Sequence, residues 1–220
     1  MLEIAKQKNC YTNLINSLVT KDIRLPIEDK TYDVVIMAGC LCPGHIRWNS
    51  FPQIIRVVKT DARILDIGMG TGNVGIHLKQ NGYTNIDGLD ASPEMVEIAK
   101  QRNCYKNLIC SSVEKETRLP IEDKTYDVVI MAGCLCPGHI RWNSFPQIIR
   151  IVKTGGVVFW FVAVSKTFEE KDEDFRNGNN ENLVKSLTTE GKWDYINGYP
   201  KRVENYMIGT EGDIYAMKVQ

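Results

Sequence analysis

Residues 64 to 90 narrow what this chain can fold into more than any other stretch. A short apolar run, Ile64-Leu65-Asp66-Ile67, leads straight into a loop with glycine at positions 68, 70 and 72. Such a run reads as a buried parallel strand. A helical segment follows over about residues 73–80, and a second strand, residues 86–89, ends in Asp90. Glycine lets the backbone turn sharply and approach a ligand closely, because no Cβ intervenes. The first turn of the helix behind it offers unpaired N–H groups. An acid at the end of the next strand accepts the hydroxyls of a ribose. A strand, glycine loop, helix, strand and acid in this order describe a site for a nucleoside-bearing cofactor.

The alternation continues beyond Asp90. Ser92 is a helix N-cap with Pro93 at the first helical position, and Met95, Ile98 and Ala99 form the apolar face of the helix that follows. Strands are expected over residues 108–111 and 128–132. The spacing of Phe145, Ile148, Ile149 and Val152 predicts an amphipathic helix, which Gly155-Gly156 ends before the most apolar strand, residues 157–164. The tail reads as a polar surface loop over residues 168–180, a short helix over 181–187, and two strands, 204–208 and 214–219, around a turn at 209–213. The fold class implied is α/β: a doubly wound, Rossmann-like, mostly parallel sheet with a C-terminal antiparallel hairpin.

The chain also repeats itself. Residues 1–60 recur as 95–154, and residues 24–56 are identical letter for letter to 118–150. Two copies separated by unrelated sequence are a segmental duplication, since a solenoid needs at least about three units in tandem. Only the second copy has a glycine loop and an acid ahead of it. The expected layout is therefore an N-terminal extension or cover, 1–60, and a cofactor-binding domain, 61–220. The first copy should supply helices near 2–7 and 51–58 and strands near 14–19 and 34–38. Its strand 34–38 has the sequence of 128–132 and could contend for the same slot, so a monomer or a swapped dimer is expected.

Charge excludes little but points away from polyanions. Lysine plus arginine and aspartate plus glutamate number 27 each, so no nucleic-acid or membrane partner is expected. No apolar run approaches the ~20 residues of a membrane helix. The first residues carry no apolar core like that of a signal peptide, and the seven cysteines then suggest reduced thiols and a cytoplasmic location.

Two cofactor chemistries compete for the loop. A nicotinamide site wants G-x-G-x-x-G facing a pyrophosphate. Here the third glycine comes one place early, and Asp66 lies in the strand beside the ligand, where it disfavours a phosphate. An acid there suits a cationic ligand with an amino group. Leu65 to Gly72, Gly88-Leu89-Asp90-Ala91-Ser92-Pro93-Glu94-Met95, Leu119-Pro120 with Tyr126-Asp127-Val128-Val129, and Lys153-Thr154-Gly155-Gly156 together resemble the ordered motifs of class I S-adenosylmethionine-dependent methyltransferases.

The resemblance implies S-adenosyl-L-methionine as cofactor and a small-molecule or protein methyl acceptor. It implies that Asp66 and the backbone of Gly68, Met69, Gly70 and Gly72 hold the methionine end. Asp90 would take the ribose hydroxyls, with Ala91 and Met95 against the adenine. Ser112 and Val113 stand where the adenine amine is contacted, although many members have an acid there. Gly133 would border the sulfonium. His139 is the candidate general base, needed only if the acceptor must lose a proton. Cys134, Cys136 and His139 have ligand-like spacing, but small residues at a strand end explain them better and no metal site is expected. Trp142 and Trp193 are read either as pocket walls or as core, and the acidic run 169–174 as a solvated loop.

Overall fold

The structure is a computed structural model describing residues 61–164, 168, 170, 172–176, 178–196, 199–207 and 210–220. The elements expected for the first repeat copy lie outside the described residues, as does Gly209 of the tail turn.

Among the described residues eight strands and four α-helices are numbered in chain order: β1 Ile64–Ile67, α1 Asn73–Gln80, β2 Ile86–Asp90, α2 Pro93–Gln101, β3 Asn107–Cys110, β4 Tyr126–Met131, α3 Phe145–Ile151, β5 Val152–Val164, α4 Asn179–Thr189, β6 Trp193–Tyr195, β7 Lys201–Met207 and β8 Thr210–Val219. They form one sheet of order β3-β2-β1-β4-β5-β8-β6, with β7 also paired to β8. The first five strands run parallel. β8 runs antiparallel to β5, and β6 and β7 run antiparallel to β8. Strand order reverses between β1 and β4. A doubly wound sheet opens a crevice outside the carboxyl ends of its strands at that reversal. The expected α/β class holds.

Side chains along a strand alternate between faces. On one face Leu65, Ile67, Leu89, Val129, Met131, Val158, Trp160 and Met217 join Phe145, Ile148 and Ile151 of α3 and Val184 and Leu187 of α4 in the main core. Aromatic rings fill its centre. Phe145 meets Trp160 edge-on at 4.9 Å, and Trp160 stacks on Tyr215 at 4.8 Å. Trp142 and Trp193 are both buried in this cluster, which settles them as core. On α2 the burial falls on Ala99, whereas Met95 and Ile98 are exposed.

At the opposite end of the strands from the crevice, Asp87 forms a polar knot. Its carboxylate is 1% exposed and accepts hydrogen bonds from Arg63 Nη2 at 3.1 Å, Tyr126 Oη at 2.9 Å and Asn107 Nδ2 at 2.7 Å. Four strands or their leading residues are thus tied through one carboxylate, with the Arg63 guanidinium 5.0 Å over the Tyr126 ring.

Several boundaries differ from the sequence reading. Val152 begins β5 rather than closing α3, and β5 runs through Gly155-Gly156. Gly155 has φ +82°, and the register with β4 jumps between Tyr126 and Val128, so the glycines make a bulge inside the strand. β6 was not anticipated. Glu211, Gly212 and Asp213, expected in a turn, are strand residues paired with β5. The loop after β5 is not simply solvated: Arg141 pairs with Asp172 at 2.9 Å and with Asp174, and Phe175 packs on Trp142 at 5.3 Å. Among the described residues no helix is long and apolar enough to cross a membrane.

Candidate cofactor site

β1 delivers Asp66 and then the glycine loop to the crevice. Gly68, Gly70 and Gly72 all have positive φ, of 68°, 52° and 88°, a conformation that side-chain-bearing residues rarely adopt. The loop is pinned by its neighbour strand, with Gly68 N and Met69 N donating to Leu89 O at 2.8 and 3.1 Å. The three glycines do different jobs. A Cβ on Gly68 would stand 2.3 Å from Cys134 Cβ, so this glycine lets the loop after β4 come close. A Cβ on Gly72 would meet Tyr105 Cε2 at 3.2 Å. A Cβ on Gly70 would meet nothing within 4 Å, and the same is true of Gly133.

Asp90 ends β2 half-buried. Its Oδ2 accepts from Gly70 N at 2.8 Å and its Oδ1 from Ser92 N at 2.9 Å. Two backbone N–H groups thus fix the carboxylate, and each oxygen keeps a further lone pair for another donor. Ser92 caps α2 by accepting from Met95 N at 3.2 Å.

Asp66 is 1% exposed. Its Oδ2 accepts from the Tyr105 hydroxyl at 2.6 Å, while its Oδ1 is buried with no partner. Burial and, secondarily, the nearby Asp90 charge push its pKa up to about 7, against a lowering by the Tyr105 hydrogen bond. A buried acceptor without a donor costs about 1–3 kcal/mol. Such a cost marks a place where a donor is missing.

The remaining residues fall into two groups. Ala91 and Met95 are exposed at the start of α2, and Ser112 is half-buried just past β3. The Val113 side chain, by contrast, belongs to the main core, and its carbonyl accepts from Ser144 Oγ at 2.9 Å. His139 is exposed, and its Nδ1 lies 3.3 Å from Cys136 Sγ and 3.4 Å from Pro137 O, both in its own loop. Cys134 is buried against β1, its thiol donating to Ile67 O at 3.3 Å, and burial pushes its pKa up to about 12. Among the described residues no group of three or more His, Cys, Asp or Glu could hold a metal ion.

Tyr105 was missed by the motif reading. A signal for it existed in Gly75 inside a helix and Gly88 inside a strand, because a glycine in an element interior marks a close approach by something else. A Cβ on Gly75 would stand 2.4 Å from Tyr105 Cζ, and one on Gly88 would stand 3.1 Å from its Cδ1.

The comparisons with known proteins agree with this fold. Residues 64–156 match the family model described as "Methyltransferase domain". The chain is 35% identical over 97 residues to the human methyltransferase-like protein 27, covering 44% of this chain and 39% of that protein. Over residues 64–156 these matches support a class I S-adenosylmethionine-dependent methyltransferase domain. A human probable tRNA methyltransferase 9B is 27% identical over 132 residues, covering 57% of this chain and 27% of that protein. The chain therefore spans well under half the length of these curated relatives. A solved S-adenosylmethionine-dependent methyltransferase from Methanosarcina mazei has a TM-score of 0.55 at 16% identity, covering 74% of this chain and 94% of that one, and supports the fold.

S-adenosylmethionine is the cofactor of this domain, and the residues present fit it. Asp66 offers a buried acid with one oxygen free of partners, of the kind a cationic amino group would need. Asp90 offers an acid held in orientation by backbone donors, of the kind a ribose diol would need. Gly70 and Gly133 face open space, with no protein atom within 4 Å of where a Cβ would stand.

Proposed function

We propose that the protein transfers a methyl group from S-adenosylmethionine to a small-molecule or protein acceptor. The unpartnered buried oxygen of Asp66, beside the glycine loop, carries the reading. A cation is what that oxygen lacks, and a dinucleotide pyrophosphate would repel it.

In this reading Asp66 Oδ1 takes the amino group, and Asp90, oriented by the N–H groups of Gly70 and Ser92, takes the ribose hydroxyls. The bound cofactor supplies a methyl group already activated on a sulfonium. The residues' task is then positioning, which supplies much of the rate when reactants are held in line. His139 acts as base only for an acceptor that must lose a proton, and only if its loop turns it toward the crevice. The repeat copy at 1–60, which lacks a glycine loop, adds no second cofactor site, so one cofactor should bind per chain.

Isothermal titration with S-adenosylmethionine tests the site. Binding is expected at one equivalent, and Asp90→Ala should weaken it at least tenfold; unchanged affinity in that variant removes Asp90 from the site. Turnover is tested with methyl-labelled donor and a cell extract separated into small molecules, protein and RNA. The balanced charge supports label in the first two fractions. RNA, the acceptor class in one relative's name, is the competing outcome and would replace the acceptor proposed here.

A further inference from the structure

Three glycines from three separate elements border the ring of Tyr105: Gly75 in α1 most closely, Gly72 in the loop, and Gly88 in β2, which also admits Met69 Sδ, 2.2 Å from where its Cβ would stand. The ring enters from the loop before β3 and carries its hydroxyl to the inner end of the space. There the hydroxyl accepts from Gly75 N at 3.2 Å and donates to Asp66 Oδ2 at 2.6 Å. The acceptor role uses an N–H in the first turn of α1, one of the groups a helix leaves without an internal partner. With that N–H aimed at the oxygen, the phenolic proton is directed at Asp66.

We propose that Tyr105 is a positioning residue for the cofactor site: it occupies Oδ2 of Asp66, so that Oδ1 alone faces the cofactor's amino group. The proposal rests on the assignment of Asp66 to that amino group. Its consequence is control of the charge on Asp66. A hydrogen bond donated to a carboxylate favours the charged form. The other groups that bear on Asp66 do the opposite or nothing useful. Burial and Asp90 disfavour its ionisation, and the neighbouring Cys104 and Cys134 thiols are themselves pushed up by burial. Tyr105 is thus the neighbour that keeps a deeply buried carboxyl ionisable near neutral pH, as binding a cation requires.

The test compares the wild-type chain with Tyr105→Phe, which keeps the ring and deletes the hydroxyl. S-adenosylmethionine affinity is measured by calorimetry from pH 6 to 9, beside 5′-methylthioadenosine, which lacks the amino-acid end. A rise of about one unit in the Asp66 pKa cuts its ionised fraction about fivefold at pH 7 and hardly at all at pH 9. The variant should therefore bind S-adenosylmethionine about fivefold more weakly at pH 7, with the gap closing by pH 9. Its 5′-methylthioadenosine affinity should stay unchanged throughout. In the cofactor-free protein the carboxyl carbon of Asp66, followed by NMR, should titrate at higher pH in the variant. Should Tyr105→Phe not fold, 3-fluorotyrosine at position 105, a stronger donor, must move the same midpoint down. A pH profile parallel to wild type, or an equal loss with 5′-methylthioadenosine, overturns the proposal. Failure of the wild-type chain to bind S-adenosylmethionine overturns the assignment of the site itself, a separate result.

Discussion

Asp66→Asn should make the protein more stable while destroying its cofactor site. The carboxyl is 1% exposed, and its pKa stands at about 7 in the fold against an ordinary 3.8. The sign follows from linkage. Above pH 4 the unfolded chain gives up this proton readily, while the folded chain retains it until about pH 7. The unfolded state is therefore favoured progressively as pH rises through that window, and the loss levels off above it. At about 1.4 kcal/mol per unit, a shift of roughly three units amounts to about 4 kcal/mol by pH 8, which we take as an upper figure. Asparagine occupies nearly the same volume, never ionises, and its amide oxygen still accepts from Tyr105. Melting temperatures of the two proteins should coincide near pH 4 and diverge until the variant melts about 5–15 °C higher at pH 8, at ~2–4 °C per kcal/mol for a domain of this size. S-adenosylmethionine binding should fall at least tenfold in the same variant. A variant that melts at or below wild type at pH 8, or two melting curves that keep a constant offset from pH 4 to 8, would refute the argument that Asp66 is held in the fold at a cost.

Two further predictions probe the frame around that acid. Asp87→Ala strands the Tyr126 hydroxyl, in a residue 1% exposed, while the 42%-exposed Arg63 side chain can turn to water. It should cost about 2–4 kcal/mol in urea denaturation and leave cofactor affinity unchanged. Adding Tyr126→Phe should recover part of the loss, and strict additivity would dissolve the network. Gly68→Ala combines a positive φ, worth about 1–2 kcal/mol, with a methyl 2.3 Å from Cys134 Cβ. It should lower both stability and cofactor affinity, and Cys134→Gly in the same chain should restore some of each.

In the parallel half of the sheet β1 and β2 were legible because each is a short strand closed by a glycine turn or a helix cap, and because burial on both faces leaves little polar alternation to confuse the reading. The antiparallel edge was less so. Glu211-Gly212-Asp213 has turn composition, yet pairing with Ala163, Val162 and their neighbours on β5 holds it extended. Gly155-Gly156 likewise looks like a stop between elements, and is instead a bulge inside β5, on either side of which pairing with β4 continues. In both places pairing across the sheet overrides local propensity, and pairing partners far apart in sequence leave no local trace.

The glycines show the same limit within the site. The loop pattern marks positions 68, 70 and 72 as equivalent, and chemistry suggests that each clears space for a ligand. Only Gly70 faces open space; Gly68 yields to Cys134 and Gly72 to Tyr105. A glycine pattern therefore reports that something comes close without saying what, and two of the three approaches here are made by the protein's own side chains. Those side chains are what turn a bare loop into a shaped site. Cys134 closes it from the loop after β4, and Tyr105, bordered by glycines at positions 72, 75 and 88, sets the state of its acid. The chemistry assigned to Asp66 thus depends on a residue that the motif does not contain.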